Sequence, residues 1–232
     1  MKLEQIVNFD KYFWIARIFP AIITLIPFYI FQYFYLDNLI LKELKNLERY
    51  SLLFHSLIIM ISLYFAALIT RSFGKDLIEN FYFIKNNKLP TTQILLGKKK
   101  VFSNQTLTNL KNKIKSDFKI DLNSKGKEKL LRIKDAVDQI RIKVGYKHKI
   151  LNQYNTEYGF FRNLTGGFII YIPTTILLIL FAYFNNKILF SIGITMLSVE
   201  LIYLLFSWKI LDNYGTKYAK QLFNLYISEV KE

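Results

Sequence analysis

Charged residues inside apolar stretches are the first candidates for chemistry in this sequence. Glu200 is the only acid between Ile188 and Trp208, and it lies about 12 Å before the end of that stretch at 1.5 Å per residue. An ionisable side chain at that depth in a bilayer costs several kcal/mol unless it is paired or wetted. The sequence leaves two interpretations open. Glu200 either pairs with Arg17 of the first apolar stretch or belongs to a ring of carboxylates that lines an oligomeric pore and favours cations.

A helical wheel of the same stretch separates two faces. One face is a stripe of small polar residues suited to close helix packing, formed by Ser191, Thr195 and Ser198. Glu200 lies on the opposite face, together with Gly193, Met196, Tyr203 and Ser207. We therefore expect the Glu200 side chain to face protein or water.

Basic side chains supply the second group of candidates. Residues 71–163 carry 21 Lys and Arg against 8 Asp and Glu, so this segment holds +13 of the chain's net charge of +15. Lys127, Lys134 and Arg141 recur every seven residues and share one helix face. Two interpretations remain open here as well. The face is either solvated and attracted to the anionic inner leaflet, by about 1 kcal/mol per basic residue, or a site for a polyanion such as an oligonucleotide.

Tyrosines interleaved with the charges favour the polyanion, because nucleic-acid bases stack on aromatic rings. These are Tyr146, Tyr154 and Tyr158, which lie among basic residues just before the third apolar stretch. We predict a site for a nucleotide or single-stranded oligonucleotide. Its residues are Lys98, Lys99, Lys100, Lys111, Lys115, Lys127, Lys134, Arg141, Lys147, Lys149, Tyr158 and Arg162.

Motifs of catalysis and of metal binding are absent from the sequence. It contains no GxxxxGK[ST] or GxGxxG loop, no HExxH and no GxSxG. The absence of cysteine excludes disulfides and thiolate chemistry, and His55 and His148 alone cannot build a multi-histidine site. We therefore expect no catalysis, no metal and no cofactor.

Four apolar stretches must position these candidates, and each is close to the roughly 20 residues that a helix needs to cross a bilayer. They predict membrane spans at 14–36, 51–70, 164–184 and 188–208. Pro20 and Pro27 in the first span and Pro173 in the third each leave a carbonyl without its helical partner, so we expect the first helix to kink or to be braced by its neighbours. Thr174 and Thr175 are available for that role in the third span.

The distribution of basic residues predicts the orientation of the spans. The connections 37–50 and 185–187 hold three and one basic residues, against 21 in 71–163. We therefore expect a protein of the bacterial inner membrane with 71–163 and both termini in the cytoplasm. The predicted division is an N-terminal helix pair at 1–70, the basic domain at 71–163, a transmembrane hairpin at 164–208 and a cytoplasmic tail at 209–232.

Helical periodicity indicates that the basic domain is folded. Leu107, Leu110, Ile114 and Phe118 recur at helical spacing behind an N-cap at Ser103, and apolar residues from Leu130 to Val144 repeat the pattern. An earlier helix over about 76–86 continues out of the second span. The predicted fold class is an all-α integral membrane protein, with four transmembrane helices and a basic helical cytoplasmic domain between helices 2 and 3.

Two short strings flank the two predicted amphipathic helices of the basic domain. Leu89-Pro90-Thr91-Thr92 precedes these helices, and Tyr158-Gly159-Phe160 with Arg162-Asn163 and Gly166 leads into the third span. Together they resemble a widespread set of uncharacterised bacterial membrane proteins, although Phe161 stands where that set has a further arginine. The layout also resembles the membrane effectors of Hailong-type anti-phage defence systems. This resemblance implies a nucleotidyltransferase partner that makes a nucleic-acid signal.

The position of these strings predicts a junction that couples the basic domain to the membrane. Its residues are Pro90, Thr91, Thr92, Gly159, Asn163 and Gly166. One hypothesis is an oligomeric ion channel or membrane-depolarising effector, for which we expect a tetramer, gated by a nucleotide or oligonucleotide. The alternative is a non-conducting membrane protein, such as an immunity or assembly partner, whose basic domain binds anionic lipid or an acidic protein.

Overall fold

The structure, a computed structural model, describes residues 11–36, 51–84, 88–123, 126–145 and 148–228. Every regular element within these ranges is a helix, which confirms the all-α prediction. In chain order they are α1 (Lys11–Tyr35), α2 (Ser51–Ser72), α3 (Pro90–Leu95), α4 (Asn104–Phe118), α5 (Gly126–Val144), α6 (Lys149–Asn185) and α7 (Lys187–Ser228). After α2 the chain continues in wider, π-helical turns over Phe73–Ile84.

Within the described ranges, three helices are long and apolar enough to cross a membrane, namely α1, α6 and α7. The helix α1 covers the predicted span 14–36 except for its last residue, and α6 and α7 contain the predicted spans 164–184 and 188–208. The predicted span 51–70 lies in α2, a helix of 22 residues whose side chains at 51–55 and 58 fall outside the described part. Asn186 separates α6 from α7, and its side-chain oxygen accepts hydrogen bonds from the N–H groups of Ile188 and Leu189. The break between the two helices thus lies within the predicted connection 185–187.

A neighbouring helix braces α1 where Pro20 interrupts its hydrogen bonding. The regular part of α1, Phe19–Phe31, is preceded by π-helical turns over Trp14–Ile18. Pro20 has no N–H to offer the carbonyl of Ala16. The buried side chain of Asn163 in α6 replaces it, because its Nδ2 donates to the Ala16 carbonyl at 2.6 Å. Of the two outcomes expected at this proline, a kink or a brace, the structure shows a brace.

The chain divides into two compact units, which we call the apolar unit (1–78 and 159–208) and the basic unit (79–158 and 209–232). These boundaries differ from the predicted ones in one important respect. Residues 209–232 were predicted to be a tail, whereas 209–228 form the C-terminal part of α7 and belong to the basic unit. The physical reason is an apolar stripe at helical spacing that the basic unit buries, made of Ala219, Leu222, Phe223 and Tyr226.

Large aliphatic side chains from α3, α4 and α5 surround that stripe. The core of the basic unit contains Ile94, Leu95, Leu110, Ile114, Ile133, Ile140, Val144, Leu222, Phe223 and Tyr226, each almost fully buried. The helices predicted around Leu107–Phe118 and Leu130–Val144 are confirmed. The N-cap is confirmed too, because the Ser103 hydroxyl accepts a hydrogen bond from the N–H of Thr106 at 3.2 Å.

Candidate functional site

Polar contacts fix the end of α7 within the basic unit. The Lys99 ammonium lies 2.6 Å from both carboxylate oxygens of Asp212. Lys113 donates to the carbonyl of Tyr226 at 2.7 Å, and the Tyr226 hydroxyl donates to Asp117 at 3.0 Å. These charge-assisted bonds lie at the margin of the core, where partial burial makes them stronger than exposed ion pairs.

Three residues of the predicted polyanion site are engaged by acids of the chain itself. Lys99 binds Asp212, Lys115 lies 3.3 Å from Asp121, and Arg141 lies 3.5 Å from Asp138. The Arg141 guanidinium also lies over the ring of Tyr218 at 5.9 Å. Lys115 and Arg141 are exposed and can exchange partners, whereas the bidentate contact of Lys99 makes it a structural residue. Lys147 and the side chain of Lys127 lie outside the described part of the chain.

Other lysines of the predicted site keep their charge uncompensated. In the part of the chain that the structure describes, the exposed ammonium groups of Lys98, Lys100, Lys134 and Lys149 have no acidic or hydrogen-bonding partner. Lys111 is half-buried, and this burial lowers its pKa, with a further contribution from the charge of Lys129. An anion bound beside Lys111 and Lys129 would offset the repulsion between their charges.

Lys129 was missed by the sequence interpretation. It lies off the seven-residue stripe of Lys127, Lys134 and Arg141, so periodicity alone does not select it. The packing of α4 against α5 brings it close enough to Lys111 for their charges to interact. The lysines that the structure leaves available therefore include one pair that only tertiary structure reveals.

Tyr158 makes structural contacts rather than presenting a free aromatic face. Its hydroxyl donates to Glu79 at 3.0 Å. Its ring lies 3.4 Å from the position that a Cβ on Gly215 would occupy, and Pro90 lies 3.0 Å from the same position. Tyr158 and Pro90 thus pack closely on α7 at its one glycine in this region. Thr91 is buried and Thr92 half-buried beside them in α3.

Gly159, Asn163 and Gly166 lie where α6 packs closely on α1 and on the end of α2 within the apolar unit. Their spacing of four and three residues places them on one face of α6. A Cβ on Gly166 would lie 2.6 Å from the backbone nitrogen of Gly74 and 2.7 Å from the carbonyl oxygen of Thr70, and one on Gly159 would lie 3.2 Å from Ala16. The predicted junction is thus divided, with Pro90, Thr91 and Thr92 in the basic unit and the other three residues packing in the apolar unit.

Glu200 is buried between α6 and α7, with 3% of its surface exposed. The hydroxyl of Thr175 donates to its Oε1 at 3.0 Å, and Oε2 has no hydrogen-bond partner among the described residues. The ion pair with Arg17 that one interpretation required is not found in the described part of the chain. Thr175 was expected to serve the backbone near Pro173, but its hydroxyl serves this carboxyl group instead.

Arg17 contacts aromatic rings, and Arg162 contacts Asn163. The Arg17 guanidinium lies over the rings of Tyr12 and Phe13 at 5.6 and 5.7 Å. Arg162 donates from Nε to the side-chain oxygen of Asn163 at 3.4 Å, so the residue predicted for the polyanion site lies in the apolar unit.

Within the described ranges, no group of three His, Asp or Glu side chains is placed to hold a metal ion. Comparison with protein-family models, with curated proteins and with solved structures finds no match for this chain.

Proposed function

We propose that this protein spans the bacterial inner membrane with four helices and holds its basic unit in the cytoplasm. Three long apolar helices, together with the 22-residue α2, support four crossings. The excess of basic residues in the segment between the second and third spans supports the orientation. Tags at Lys42 and Asn186 should be labelled from outside the inner membrane, and a tag at Ser124 should not. The reverse labelling pattern would contradict the proposed topology.

We further propose that the protein is an oligomeric effector, an ion channel or depolarising protein of anti-phage defence that a nucleotide or oligonucleotide signal gates. One observation carries this proposal. The helix α7 contains the predicted fourth span and also supplies Leu222, Phe223 and Tyr226 to the core of the basic unit. A ligand that favours one packing of this core over another acts on the same helix that crosses the membrane, which is the differential binding that gating requires.

The ligand surface is formed by the lysines without an acidic partner in the described chain. Lys98, Lys100, Lys134 and the pair of Lys111 with Lys129 can each neutralise a phosphate. The oligomer is a homo-oligomer, with a tetramer as the working stoichiometry. A nucleotidyltransferase partner supplies the signal, as the resemblance to Hailong-type effectors implies.

Binding of short single-stranded oligonucleotides to the full-length protein tests the ligand. Affinity should fall steeply with salt, because each neutralised phosphate releases counterions. The triple reversal Lys98→Glu, Lys100→Glu and Lys134→Glu should abolish most of this binding. A matched control reverses Lys217 and Lys220 on α7 together with Lys187, and it should retain binding. Equal loss of oligonucleotide binding in both triple variants would show that binding depends on the overall charge and not on the three chosen lysines.

Ion flux through liposomes tests the channel. Oligonucleotide added to the side that exposes the basic unit should change flux in the wild type and not in the triple variant. If the oligonucleotide binds at saturation and the ion flux does not change, the protein binds the ligand but is not a channel gated by it.

A second candidate function is favoured by the burial of Glu200. This carboxyl group is buried in the single chain and accepts a hydrogen bond from Thr175, which supports a role in helix packing. A non-conducting immunity or assembly partner, whose basic unit binds anionic lipid or an acidic protein, fits that placement. Absence of flux, with affinity for anionic liposomes above that for oligonucleotides, would identify this function.

A further inference from the structure

A loop with three consecutive lysines joins α3 to α4, and backbone hydrogen bonds fix its beginning. Gly97 has a φ of 72°, and its N–H donates to the carbonyl of Ile94 at 2.9 Å. The N–H groups of Lys98 and Lys99 both donate to the carbonyl of Gln93, at 3.0 and 3.2 Å. This is the Schellman ending of a helix, in which a left-handed glycine turns the chain sharply. The hydrogen bonds therefore fix the direction in which the lysines leave α3.

Apolar side chains hold both ends of this loop. Leu96 before the lysines, and Val101 and Phe102 after them, pack against the core of the basic unit. The N–H of Val101 also donates to the carbonyl of Lys99 at 3.0 Å. The three lysines thus lie on a short segment whose two ends belong to one folded core.

The three lysine side chains differ in their surroundings. Lys99 is half-buried, and its ammonium lies 2.6 Å from each carboxylate oxygen of Asp212 on α7. Lys98 and Lys100 are exposed, and in the described part of the chain their ammonium groups have no partner. Two residues of chain span at most about 7 Å, and the lysine side chain is long and flexible. Both exposed ammonium groups can therefore reach one phosphate group.

We propose that Lys98 and Lys100 bind a phosphate group, and that Asp212 is the positioning residue that holds their loop in place through Lys99. The inference rests on the anionic ligand proposed above and gives that ligand a point of attachment. An anchored loop has less conformational freedom to lose when it binds, which strengthens binding. Because Asp212 belongs to α7, the phosphate-binding loop is fixed to the helix that contains the predicted fourth span. By thermodynamic linkage, a bound phosphate in turn stabilises the contact between Lys99 and Asp212.

Asp212→Asn separates positioning from simple electrostatics by the direction of its effect. Removal of an acid from a basic surface increases the attraction of that surface for anions. Asp212→Asn removes an acid but also weakens the hold on Lys99, so we expect it to lower the affinity for phosphate about tenfold. Asp212→Glu keeps the carboxylate and should retain most of the affinity. The matched control is Asp135→Asn, which removes the same charge from an exposed position on α5 and should bind at least as tightly as the wild type.

Titration of the full-length protein at one salt concentration measures these affinities, with inorganic pyrophosphate and a single-stranded thymidylate oligonucleotide as the two probes. A double-mutant cycle shows whether Asp212 acts through the loop. In a background with Lys98→Gln and Lys100→Gln, Asp212→Asn should no longer weaken oligonucleotide binding. Hydrogen exchange of the wild-type protein needs no variant, so it tests the loop even if Asp212→Asn fails to fold. Saturating pyrophosphate should slow the exchange of the Lys98 and Lys99 amides.

Three results would overturn the positioning role while leaving the proposed ligand in place. They are an affinity of Asp212→Asn equal to that of Asp135→Asn, an equal loss in the background without Lys98 and Lys100, and amide exchange in the loop that a saturating anion does not change. Pyrophosphate binding with the expected pattern of variants, without oligonucleotide binding, would keep the phosphate site and refute the nucleic-acid signal. A wild type that binds neither probe would refute both proposals.

Discussion

The apolar unit and the basic unit hold their helices together in different ways. In the apolar unit, glycines and small residues bring backbones into contact, and polar side chains such as Asn163 and Thr175 bond to groups buried inside it. In the basic unit, large aliphatic and aromatic side chains fill a core, and ion pairs lie at its margin. The difference follows from the solvent we propose for each. In lipid, burying a leucine between helices gains no hydrophobic free energy, so close packing and hydrogen bonds must hold the helices together. In water, the hydrophobic effect drives large apolar side chains into a core.

Surface composition agrees with this comparison. Phe184 is 85% exposed and Leu205 is 71% exposed in the apolar unit, along with many other large apolar side chains. Exposure of many large apolar side chains on the same helices is consistent with contact with lipid or another protein. Four variants test the comparison, in order of decreasing expected effect.

Phe223→Ala should have the largest effect, because it empties the centre of the basic unit's core. Truncation of a buried phenylalanine costs about 3–5 kcal/mol. Thermal unfolding should show the loss, together with protease sensitivity near the C terminus. Leu205→Ala, on an exposed position of the same helix, should change the melting temperature little. Equal effects from the two variants would contradict the assignment of 209–228 to the basic unit.

Gly166→Ala should come next, because it tests backbone contact in the apolar unit. The new Cβ would lie 2.6 Å from the Gly74 nitrogen, and two backbones cannot separate cheaply, so we expect a loss of about 3 kcal/mol. Gly193→Ala is the matched control. Its Cβ would also be close to a neighbour, at 2.7 Å, but that neighbour is the flexible side chain of Ile179. Detergent-solubilised yield and melting temperature should fall more for Gly166→Ala, and the opposite order would refute the close α2–α6 crossing.

Thr175→Val tests whether hydrogen bonds in the apolar unit matter individually. It preserves shape while removing the donor to Glu200, and an unsatisfied buried polar group costs about 1–3 kcal/mol. Thr175→Val combined with Glu200→Leu removes both polar partners and should recover part of this loss. Unfolding of the two variants in detergent measures the difference. A double variant less stable than Thr175→Val would show that Glu200 has a further partner, such as a second protomer.

The comparison also explains which features the sequence predicts. Periodic leucines and isoleucines predict α4 and α5 correctly, because apolar residues at helical spacing form one face of each helix and that face is buried in the core of the basic unit. The partners of Lys99 and Glu200 could not be predicted, since Asp212 and Thr175 come from distant positions that only packing brings near. The apolar stripe from Ala219 to Tyr226 recurs at helical spacing in the sequence. Its place in the core of the basic unit could not be predicted, because it depends on the path of α7. The sequence indicates that a neighbouring group could brace the helix at Pro20, but it does not identify Asn163 as that group.

Lys111→Met should have the smallest effect on stability and an opposite effect on ligand binding. Burial and Lys129 lower the pKa of Lys111 below its ordinary value near 10.5, so carrying the charge at neutral pH opposes folding. The unfolded chain binds this proton more readily, and wild-type stability should therefore rise as pH approaches 10.5. Lys111→Met removes this free-energy penalty, so the variant should melt slightly above the wild type at pH 7, with the difference shrinking at higher pH.

Oligonucleotide binding should weaken in the same variant, because the uncompensated charge that opposes folding is the one an anion would neutralise. Lys134→Met, on an exposed position, should weaken binding without raising the melting temperature. A lower melting temperature for Lys111→Met at pH 7 would show that the aliphatic stem of Lys111 contributes more to packing than its charge costs.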